Sequence, residues 1–238
     1  IEGKVEVISR IGRLRLSDCT LDANRGGLYV CENAHGSSIE MYSSICGTIE
    51  MDDRCKFSRL EICDSIIDGR EAAAISAQAA DVSIRASTVL GKTAALALQA
   101  NDSIFTEMVE VKRPQAGCIR FSYLPADSSG DGSGHLDLIT MRRYRCQPDE
   151  AIKKAGTPEE KLAAKKRVVP SFTSTCFGHP GFCQLSPGTP VEIRSGSEDE
   201  SEMGAFSRIM QPQREADLQE CLEEYLPFGL NAGIIYVD

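Results

Sequence analysis

The sequence has no tryptophan, and aromatic residues make up only 6% of its 238 residues. A core with so few rings must be filled by aliphatic, alanine and cysteine side chains, which suits stacked layers of small residues better than a sandwich built around a tryptophan. The chain also has no apolar run of about 20 residues, the length that spans a membrane as a helix. It has no Cys-x-x-Cys pair either. We therefore expect no membrane span, zinc ribbon or thioredoxin-like redox site.

Basic residues are in the minority. The chain has 26 lysines and arginines against 35 acidic residues, which gives a formal net charge of -9. General nucleic-acid binding relies on clustered Lys and Arg side chains that release counterions from the phosphate backbone. We therefore expect no nucleic-acid partner, and we expect the acidic charge to act mainly in keeping the protein soluble.

The first residues and the cysteines bear on the compartment in which the chain folds. The sequence begins Ile1-Glu2-Gly3-Lys4, with neither an initiator methionine nor a signal-like apolar region, which is typical of part of a longer or processed polypeptide. Its ten cysteines are either disulfide partners in a secreted protein or buried thiols in a reducing compartment. Cys19, Cys46 and Cys63 fall at repeat positions that elsewhere hold Ser, Ile, Leu or Phe, which favours free thiols and a cytoplasmic location. The full set is Cys19, Cys31, Cys46, Cys55, Cys63, Cys118, Cys146, Cys176, Cys183 and Cys221.

A short repeat runs through the first half of the chain. Each unit has two apolar residues that flank a third residue, and a six-residue segment containing Ser or Cys follows. The triplets are Leu14-Arg15-Leu16, Ile39-Glu40-Met41, Leu60-Glu61-Ile62, Val82-Ser83-Ile84 and Leu98-Gln99-Ala100. The segments that follow them begin at Ser17, Tyr42, Cys63, Arg85 and Asn101, so the steps are 25, 21, 22 and 16 residues.

Steps near 20 residues with short strands and no helical period predict one turn of a β-helix per step. Alternate side chains of each triplet point inward, and stacking the turns about 4.8 Å apart buries a continuous apolar column. Four serines, Ser44, Ser65, Ser87 and Ser103, are expected to form a ladder at one corner, with Cys19 in the equivalent place. An antiparallel sandwich would instead need tight turns between these strands, such as Asn-Gly or Asp-Gly. Asp68-Gly69 is the one dipeptide of this kind between them. We therefore predict a mainly β chain whose residues 1–125 form a right-handed single-stranded parallel β-helix of the pectate lyase-like type.

Residues 126–167 are predicted to be a loop and a helical excursion. Asp127-x-Ser129-x-Asp131-Gly132 matches the first half of an EF-hand loop. The twelfth position, which should be a bidentate Glu, is Leu138, so we expect no calcium there. Thr157-Pro158-Glu159-Glu160 is a capping box, and it predicts a helix that ends at the basic residues up to Arg167. We expect a solvated helix there rather than a nucleic-acid or membrane site.

Residues 168–238 are predicted to be a small α+β capping region. It contains an acidic, serine-rich loop over residues 195–202, an amphipathic helix over residues 213–226 and a closing strand over residues 233–237. A β-helix exposes unpaired strand edges and an apolar face at its last turn. We therefore expect this helix and strand to cover that end.

No set of residues in the sequence predicts a catalytic site, a metal site or a bound cofactor. The acidic pair Asp52-Asp53 lies in a predicted turn, where solvated carboxylates are common. Lys112-Arg113 is similar to a lyase base, but no aspartate cluster occupies the matching frame of a neighbouring turn. Three histidines, His35, His135 and His179, are too scattered to predict a triad or metal site, and Ser43 and Ser44 have no G-x-S-x-G context.

The second half of the chain carries a series of spaced sequence words. They are residues 117–125 (GCIRFSYLP), 142–148 (RRYRCQP), 172–174 (FTS), 180–186 (PGFCQLS), 201–206 (SEMGAF), 211–215 (QPQRE) and 224–230 (EYLPFGL). Together they resemble the C-terminal part of bacterial β-helix proteins that are encoded beside baseplate genes of phage-tail-like contractile systems. The resemblance covers residues 80–238, and it implies an assembly context more than an activity. The chain departs from it by inserting residues 127–138 and the helix around residues 157–166, so no surface role of those insertions is carried over.

Two classes of function therefore stay open. The first is a non-enzymatic structural or adaptor protein of a large assembly such as a phage-tail-like baseplate, whose partners are other protein subunits. The second is a carbohydrate-active β-helix enzyme, such as a polysaccharide lyase or epimerase, or a glycan-binding module, and it rests on fold analogy alone. We expect the first. Residues 127–134, 157–167 and 195–202 are the predicted partner surfaces, because a coiled scaffold does not require them.

Overall fold

The computed structural model describes residues 1–22, 26–125, 141–227 and 230. It confirms a mainly β chain in which parallel strands form a solenoid of about six turns, with short helices in the C-terminal part. The strands are β1 (Lys4–Val7), β2 (Arg13–Ser17), β3 (Gly27–Val30), β4 (Ser38–Tyr42), β5 (Ile45–Cys46), β6 (Thr48–Met51), β7 (Arg59–Cys63), β8 (Ile66–Arg85), β9 (Thr88–Asn101), β10 (Ile104–Phe105), β11 (Val109–Val111), β12 (Cys118–Arg120) and β13 (Arg142–Tyr144). The helices are α1 (Asp149–Lys154), α2 (Pro158–Arg167), α3 (Val191–Arg194) and α4 (Gln211–Tyr225).

The turns stack in three parallel ladders. The first ladder contains β2, β4, β7, the last residues of β8 and β9, β12 and β13. The second contains β5, the first residues of β8 and β9, and β10. The third contains β1, β3, β6, the middle of β8 and β9, and β11. The chain visits the ladders in a fixed order, so each strand pairs with its equivalents one turn away.

The predicted apolar triplets stack in the predicted frame on the first ladder. Leu14, Ile39, Leu60, Val82 and Leu98 form one column, and Leu16, Met41, Ile62, Ile84 and Ala100 form the next. From the second turn onward all of these side chains are buried, because alternate residues of a strand point to the same side, here the interior. Asp68-Gly69, the candidate hairpin turn, lies inside β8 instead.

A residue with positive φ ends each strand of the first ladder, and a Ser or Cys follows it. The positive-φ residues are Asp18, Ser43, Asp64, Ala86, Asp102, Phe121 and Arg145. Left-handed backbone is unfavourable for residues with a Cβ, although Asp tolerates it better than most. The hydrogen bonds of the next residue offset this cost. We call the residue that follows, at Cys19, Ser44, Ser65, Ser87, Ser103, Ser122 and Cys146, the corner residue.

The corner hydroxyls form the predicted ladder. Ser87 Oγ donates to the carbonyl of Arg85 at 2.7 Å and accepts the N–H of Ser65 at 3.2 Å. The same pair of hydrogen bonds recurs at Ser44, Ser65 and Ser103. The ladder of hydroxyls continues at Ser122, whose turn was not part of the predicted repeat. Cys146 occupies the next corner, where its thiol donates to the carbonyl of Tyr144. The repeat pattern omitted these two turns because β12 and β13 have only three residues each, too few for a clear apolar alternation.

The C-terminal region packs against the flank of the solenoid. The outward residues of the second ladder are apolar, and Ile104 and Tyr123 pack with Val168, Ile193 and Met203. A second cluster joins Ile66 and Leu90 to Phe182 and Phe206. Burying this outer face explains why residues beyond the solenoid fold against it.

Residues 197–208 cross several corners of the solenoid, and we call them the strap. The backbone N–H of Glu198 donates to Asp102 Oδ1 at 2.8 Å, and that of Ala205 donates to Thr88 Oγ1 at 3.0 Å. The Arg208 guanidinium lies 3.0 Å from Asp64 Oδ1. The strap therefore bonds to three successive turns.

Helix α4 differs from the amphipathic cap that its sequence predicts. Leu218 is 49% exposed and Tyr225 is 84% exposed, so the predicted apolar face lies largely in solvent. The predicted closing strand, residues 233–237, lies outside the described residues. The solenoid interior near its last turns is nevertheless covered, because Ile119, Leu124 and Cys146 are each 1% exposed.

Replacing Ile84 with Asp is expected to unfold the solenoid. Ile84 is 1% exposed and stacks between Ile62 and Ala100. Burying an unpaired carboxylate there costs several kcal/mol, which is comparable with the whole stability of a domain of about 5–15 kcal/mol. Thermal unfolding by circular dichroism is the measurement, with Gln99→Asp on the exposed outer side of the same ladder as the control. Equal melting temperatures of Ile84→Asp and the wild type would contradict the stacking frame.

Replacing Ser87 with Ala is expected to lower the free energy of unfolding by about 1–3 kcal/mol, because the N–H of Ser65 loses its buried acceptor. Ser87→Cys should lose less, since cysteine already occupies the corner at Cys19 and Cys146. Chemical denaturation of the three proteins measures the difference. If Ser87→Ala were as stable as the wild type, the corner hydrogen bonds would contribute nothing to the fold.

Candidate functional site

Asp52-Asp53 forms the turn that the sequence predicts. Asp52 Oδ1 accepts the backbone N–H of Arg54 at 2.9 Å and its Nε–H at 3.1 Å. These hydrogen bonds lower the pKa of Asp52. Arg54 also forms an ion pair with Glu32, and Asp53 is exposed. Asp52 is therefore an ionised carboxylate that fixes the turn, and it is poorly suited to act as a general acid.

The other chemical candidates lie apart in the fold. Lys112 and Arg113 are exposed and follow β11, on the third ladder. His35 lies in the loop after β3, whereas His179 lies in the C-terminal region, where its Nδ1 accepts the N–H of Gly181 at 3.0 Å. His179 therefore fixes a turn. Ser43 occupies a positive-φ corner and Ser44 belongs to the hydroxyl ladder, whereas His135 lies outside the described residues.

The structure brings together two carboxylates that the repeat did not single out. Glu40 and Glu61 are partners in register on the outer face of the first ladder, one turn apart. Glu40 is 6% exposed, and its Oε1 lies 2.8 Å from Arg13 Nε. The Tyr42 hydroxyl donates to Glu61 Oε1 at 3.1 Å. The sequence held the signal, because both acids stand at the middle of an apolar triplet.

Both glutamates take part in a network that stabilises the outer face. Like charges directly opposite each other on neighbouring strands are destabilising, and Arg13 and Tyr42 offset this repulsion. Burial raises the pKa of Tyr42, and its hydrogen bond to Glu61 raises it further. The Arg15 guanidinium lies 4.5 Å from the centre of the Tyr42 ring. A substrate that used Glu40 would first have to displace Arg13.

The cysteines are all free thiols. Burial raises the pKa of Cys46 to about 12 and that of Cys146 to about 11, and it raises the pKa of Cys183 as well. An unfolded chain releases these protons near pH 8.5. The contribution of these thiols to stability is therefore fully present below that pH and is lost as the pH rises toward 11 or 12. A raised thiol pKa is the opposite of what a cysteine nucleophile needs.

Helix α2 begins at the predicted capping box. The Thr157 hydroxyl accepts the N–H of Glu160 at 3.2 Å, and Glu160 Oε2 accepts the N–H of Thr157 at 3.1 Å. Ala164 and Val168 anchor the helix to the cluster around Ile104. Arg167 Nη1 also donates to Glu192 Oε2 at 3.0 Å.

The predicted acidic loop, residues 195–202, is less of a free surface than its composition suggests. The hydroxyls of Ser197, Ser201 and Ser207 are buried and hydrogen-bonded to one another at 3.0–3.4 Å. Glu202 is only 5% exposed. Residues 197–202 belong to the strap, and their serines hold its own turns together. Ser195 and residues 198–200 are exposed. The third predicted partner surface, residues 127–134, lies outside the described residues.

Among the described residues, no group of three or more His, Cys, Asp and Glu side chains is arranged to hold a metal ion. No helix in the described part of the chain has the length and apolar character required to cross a membrane. Comparisons of the chain with known protein families, curated proteins and solved structures found no match.

Alkylation of the native protein at pH 8 is expected to separate the thiols by burial. Cys176 and Cys221 are exposed and should react at once. Cys46, Cys146 and Cys183 should react only after denaturation, because they are buried and stay protonated. Peptide mass mapping after a timed pulse of iodoacetamide measures both groups. Rapid labelling of Cys46 in the folded protein would contradict its placement in the core.

Proposed function

We propose that the protein is a non-enzymatic structural or adaptor subunit of a large assembly such as a phage-tail-like baseplate, and that helix α2 contacts another subunit. The observation that carries the proposal is the way α2 is mounted. The capping box fixes its first turn, the buried Ala164 packs in the cluster around Ile104 of the solenoid, and Arg167 forms an ion pair with Glu192 of α3. Leu162, on the same helix, is 55% exposed.

A fixed helix is well suited to recognise a partner. Binding loses less conformational entropy when the contacting segment is already ordered, so more of the contact energy appears as affinity. Lys161, Leu162 and Lys166 are exposed on α2. The positive charge of the two lysines on a protein of net charge -9 favours a complementary acidic surface on the neighbour.

The state of the carboxylates supports a non-enzymatic role. Asp52 fixes a turn through Arg54, Glu40 is ion-paired with Arg13, and Glu61 accepts the Tyr42 hydroxyl. Each of these acids is engaged in contacts that stabilise the scaffold. A general acid or base would need a proton-transfer path to a substrate in addition.

A carbohydrate-active protein is the second candidate, and the Glu40–Glu61 pair is the observation that favours it. Strands about 4.8 Å apart place the two acids at a separation similar to that of the carboxylates of retaining glycosidases, about 5–5.5 Å. Incubating the full chain with a panel of uronate polymers tests this candidate, with Glu61→Gln as the inactive control. Turnover that Glu61→Gln abolishes would overturn the non-enzymatic proposal.

Replacing Leu162 with Glu is expected to weaken assembly while the fold stays intact. The variant loses one apolar contact and places a negative charge against the acidic surface of the partner. Retention in the particle should therefore fall by roughly tenfold, which corresponds to about 1.4 kcal/mol. The measurement is co-sedimentation of the tagged full chain in a megadalton particle from its native cells, with cross-linking mass spectrometry at Lys161 and Lys166 to locate the contact. Deletion of residues 157–167 should have a larger effect of the same kind.

Leu218→Glu is the matched control for this experiment. Leu218 is a leucine of similar exposure on another helix, α4, so this variant should be retained like the wild type. A monomeric wild-type protein that never enters a particle would contradict the adaptor proposal. Equal retention of Leu162→Glu and the wild type would contradict the role of α2.

A further inference from the structure

Five residues on the last two turns form a compact surface that the proposed α2 contact does not use. Arg120 and Phe121 lie at the end of β12, and Arg142, Tyr144 and Arg145 belong to β13 and its corner. Arg120 and Tyr144 are partners in register. We call these five residues the arginine patch.

The patch is ordered before any partner binds. The rings of Phe121 and Tyr144 pack edge to face with their centres 5.7 Å apart. The Arg145 guanidinium lies 5.8 Å from the Phe121 ring centre and 5.6 Å from that of Tyr144. Arg120 Nε donates to Asn101 Oδ1 at 3.0 Å, which orients the rest of that guanidinium. Arg142, Tyr144 and Arg145 are exposed.

The charge of the patch is unbalanced locally. Earlier in the solenoid, Arg13 is paired with Glu40, and Asp64 at its corner is paired with Arg208. Among the described residues no carboxylate lies within ion-pair distance of Arg142 or Arg145. The positive-φ positions before the corner residues hold Asp18, Asp64 and Asp102 on other turns, and here they hold Phe121 and Arg145. Within the described part of the chain, a protein of net charge -9 thus carries a group of cationic side chains on its last two turns.

We propose that the arginine patch binds a short acidic segment of a partner protein through Arg–carboxylate pairs. This inference rests on the proposed adaptor function for the class of partner and adds the chemistry of the contact. Arginine presents a planar fork of N–H donors that matches a carboxylate, and arginine and tyrosine are enriched among the residues that dominate interfaces. Cationic side chains that are already oriented by ring contacts lose little freedom on binding.

The overall charge favours a short segment over a long polyanion. Electrostatic interactions between exposed charges are screened beyond about 8 Å at physiological ionic strength. A peptide with a few acidic residues meets only the patch, whereas a nucleic acid or polyuronate chain would extend over the rest of an acidic protein. Side chains at alternate positions of an extended segment are about 6.7 Å apart, which is also the spacing of alternate residues along β13 such as Arg142 and Tyr144.

The test is direct binding of labelled probes to the full chain, and fluorescence anisotropy measures the affinity. The probes are a labelled decapeptide with alternating Glu and Ser, the same peptide with Gln for Glu, and a uronate oligosaccharide of equal charge. We expect the Glu peptide to bind, the Gln peptide to bind at least tenfold more weakly, and binding to weaken as salt is raised. Arg142→Glu combined with Arg145→Glu should reduce Glu-peptide affinity at least tenfold, and Arg142→Gln alone should reduce it less.

Lys112→Glu combined with Arg113→Glu makes the same change in net charge on two exposed cations that follow β11, and this second double variant serves as the control. Its affinity should differ from that of the wild type by less than threefold. The inference is overturned if the Glu peptide does not bind, if the Arg142/Arg145 variant binds it as tightly as the Lys112/Arg113 control does, or if the oligosaccharide binds more tightly than the Glu peptide. Because this assay needs no assembled particle, its failure would leave the α2 contact standing. Failure of co-sedimentation would likewise leave the peptide result unaffected.

Discussion

The corner hydrogen bonds determine how the turns of this solenoid stack. Each corner serine donates to a carbonyl of its own turn and accepts an N–H from the adjacent turn, so one hydroxyl satisfies two backbone groups where the ladder is interrupted. The left-handed residue before it, such as Asp64 or Asp102, turns the chain sharply enough to begin the next ladder. Because every turn makes the same bend at the same place, the apolar columns meet in register. The columns in turn fix which side chains are left on the outer faces.

Much of the solenoid could be predicted because the apolar triplets and the corner residue recur together. Matching the triplets and the corner residues predicts that Leu60-Glu61-Ile62 stacks on Val82-Ser83-Ile84. β7 and β8 pair in this predicted register. β12 lies inside the predicted β-helix, residues 1–125, although its corner residue was not part of the repeat. The prediction failed at β13, where a three-residue strand carries too little alternation and residues 126–140 separate it from the preceding turn. The placement of the C-terminal region against the flank could not be predicted either. It depends on the apolar outer face of Ile66, Ile104 and Tyr123, which becomes a face only once the turns are stacked.

The surfaces were harder to predict than the core. The capping box of α2 could be predicted in detail because Thr157 and Glu160 interact within one helical turn. The Glu40–Glu61 pair could be found from the aligned apolar triplets, whereas the arginine patch depends on the register of β12 on β13, which the repeat pattern did not include. The outer face therefore changes along the solenoid, from a network of paired charges near Glu40 to arginines, Arg142 and Arg145, that have no carboxylate partner in the described part of the chain.

The strap also affects how cooperatively the molecule unfolds. In a plain solenoid each turn contacts only its neighbours, so the turns can open one at a time from either end. Here a single segment bonds to the corners at Asp64, Thr88 and Asp102, and it cannot leave one of them without strain at the others. These turns are therefore coupled into one unit that opens together. The turns before Asp64 lack that coupling among the described residues, so they can exchange their amide hydrogens by local opening while the strapped unit stays closed.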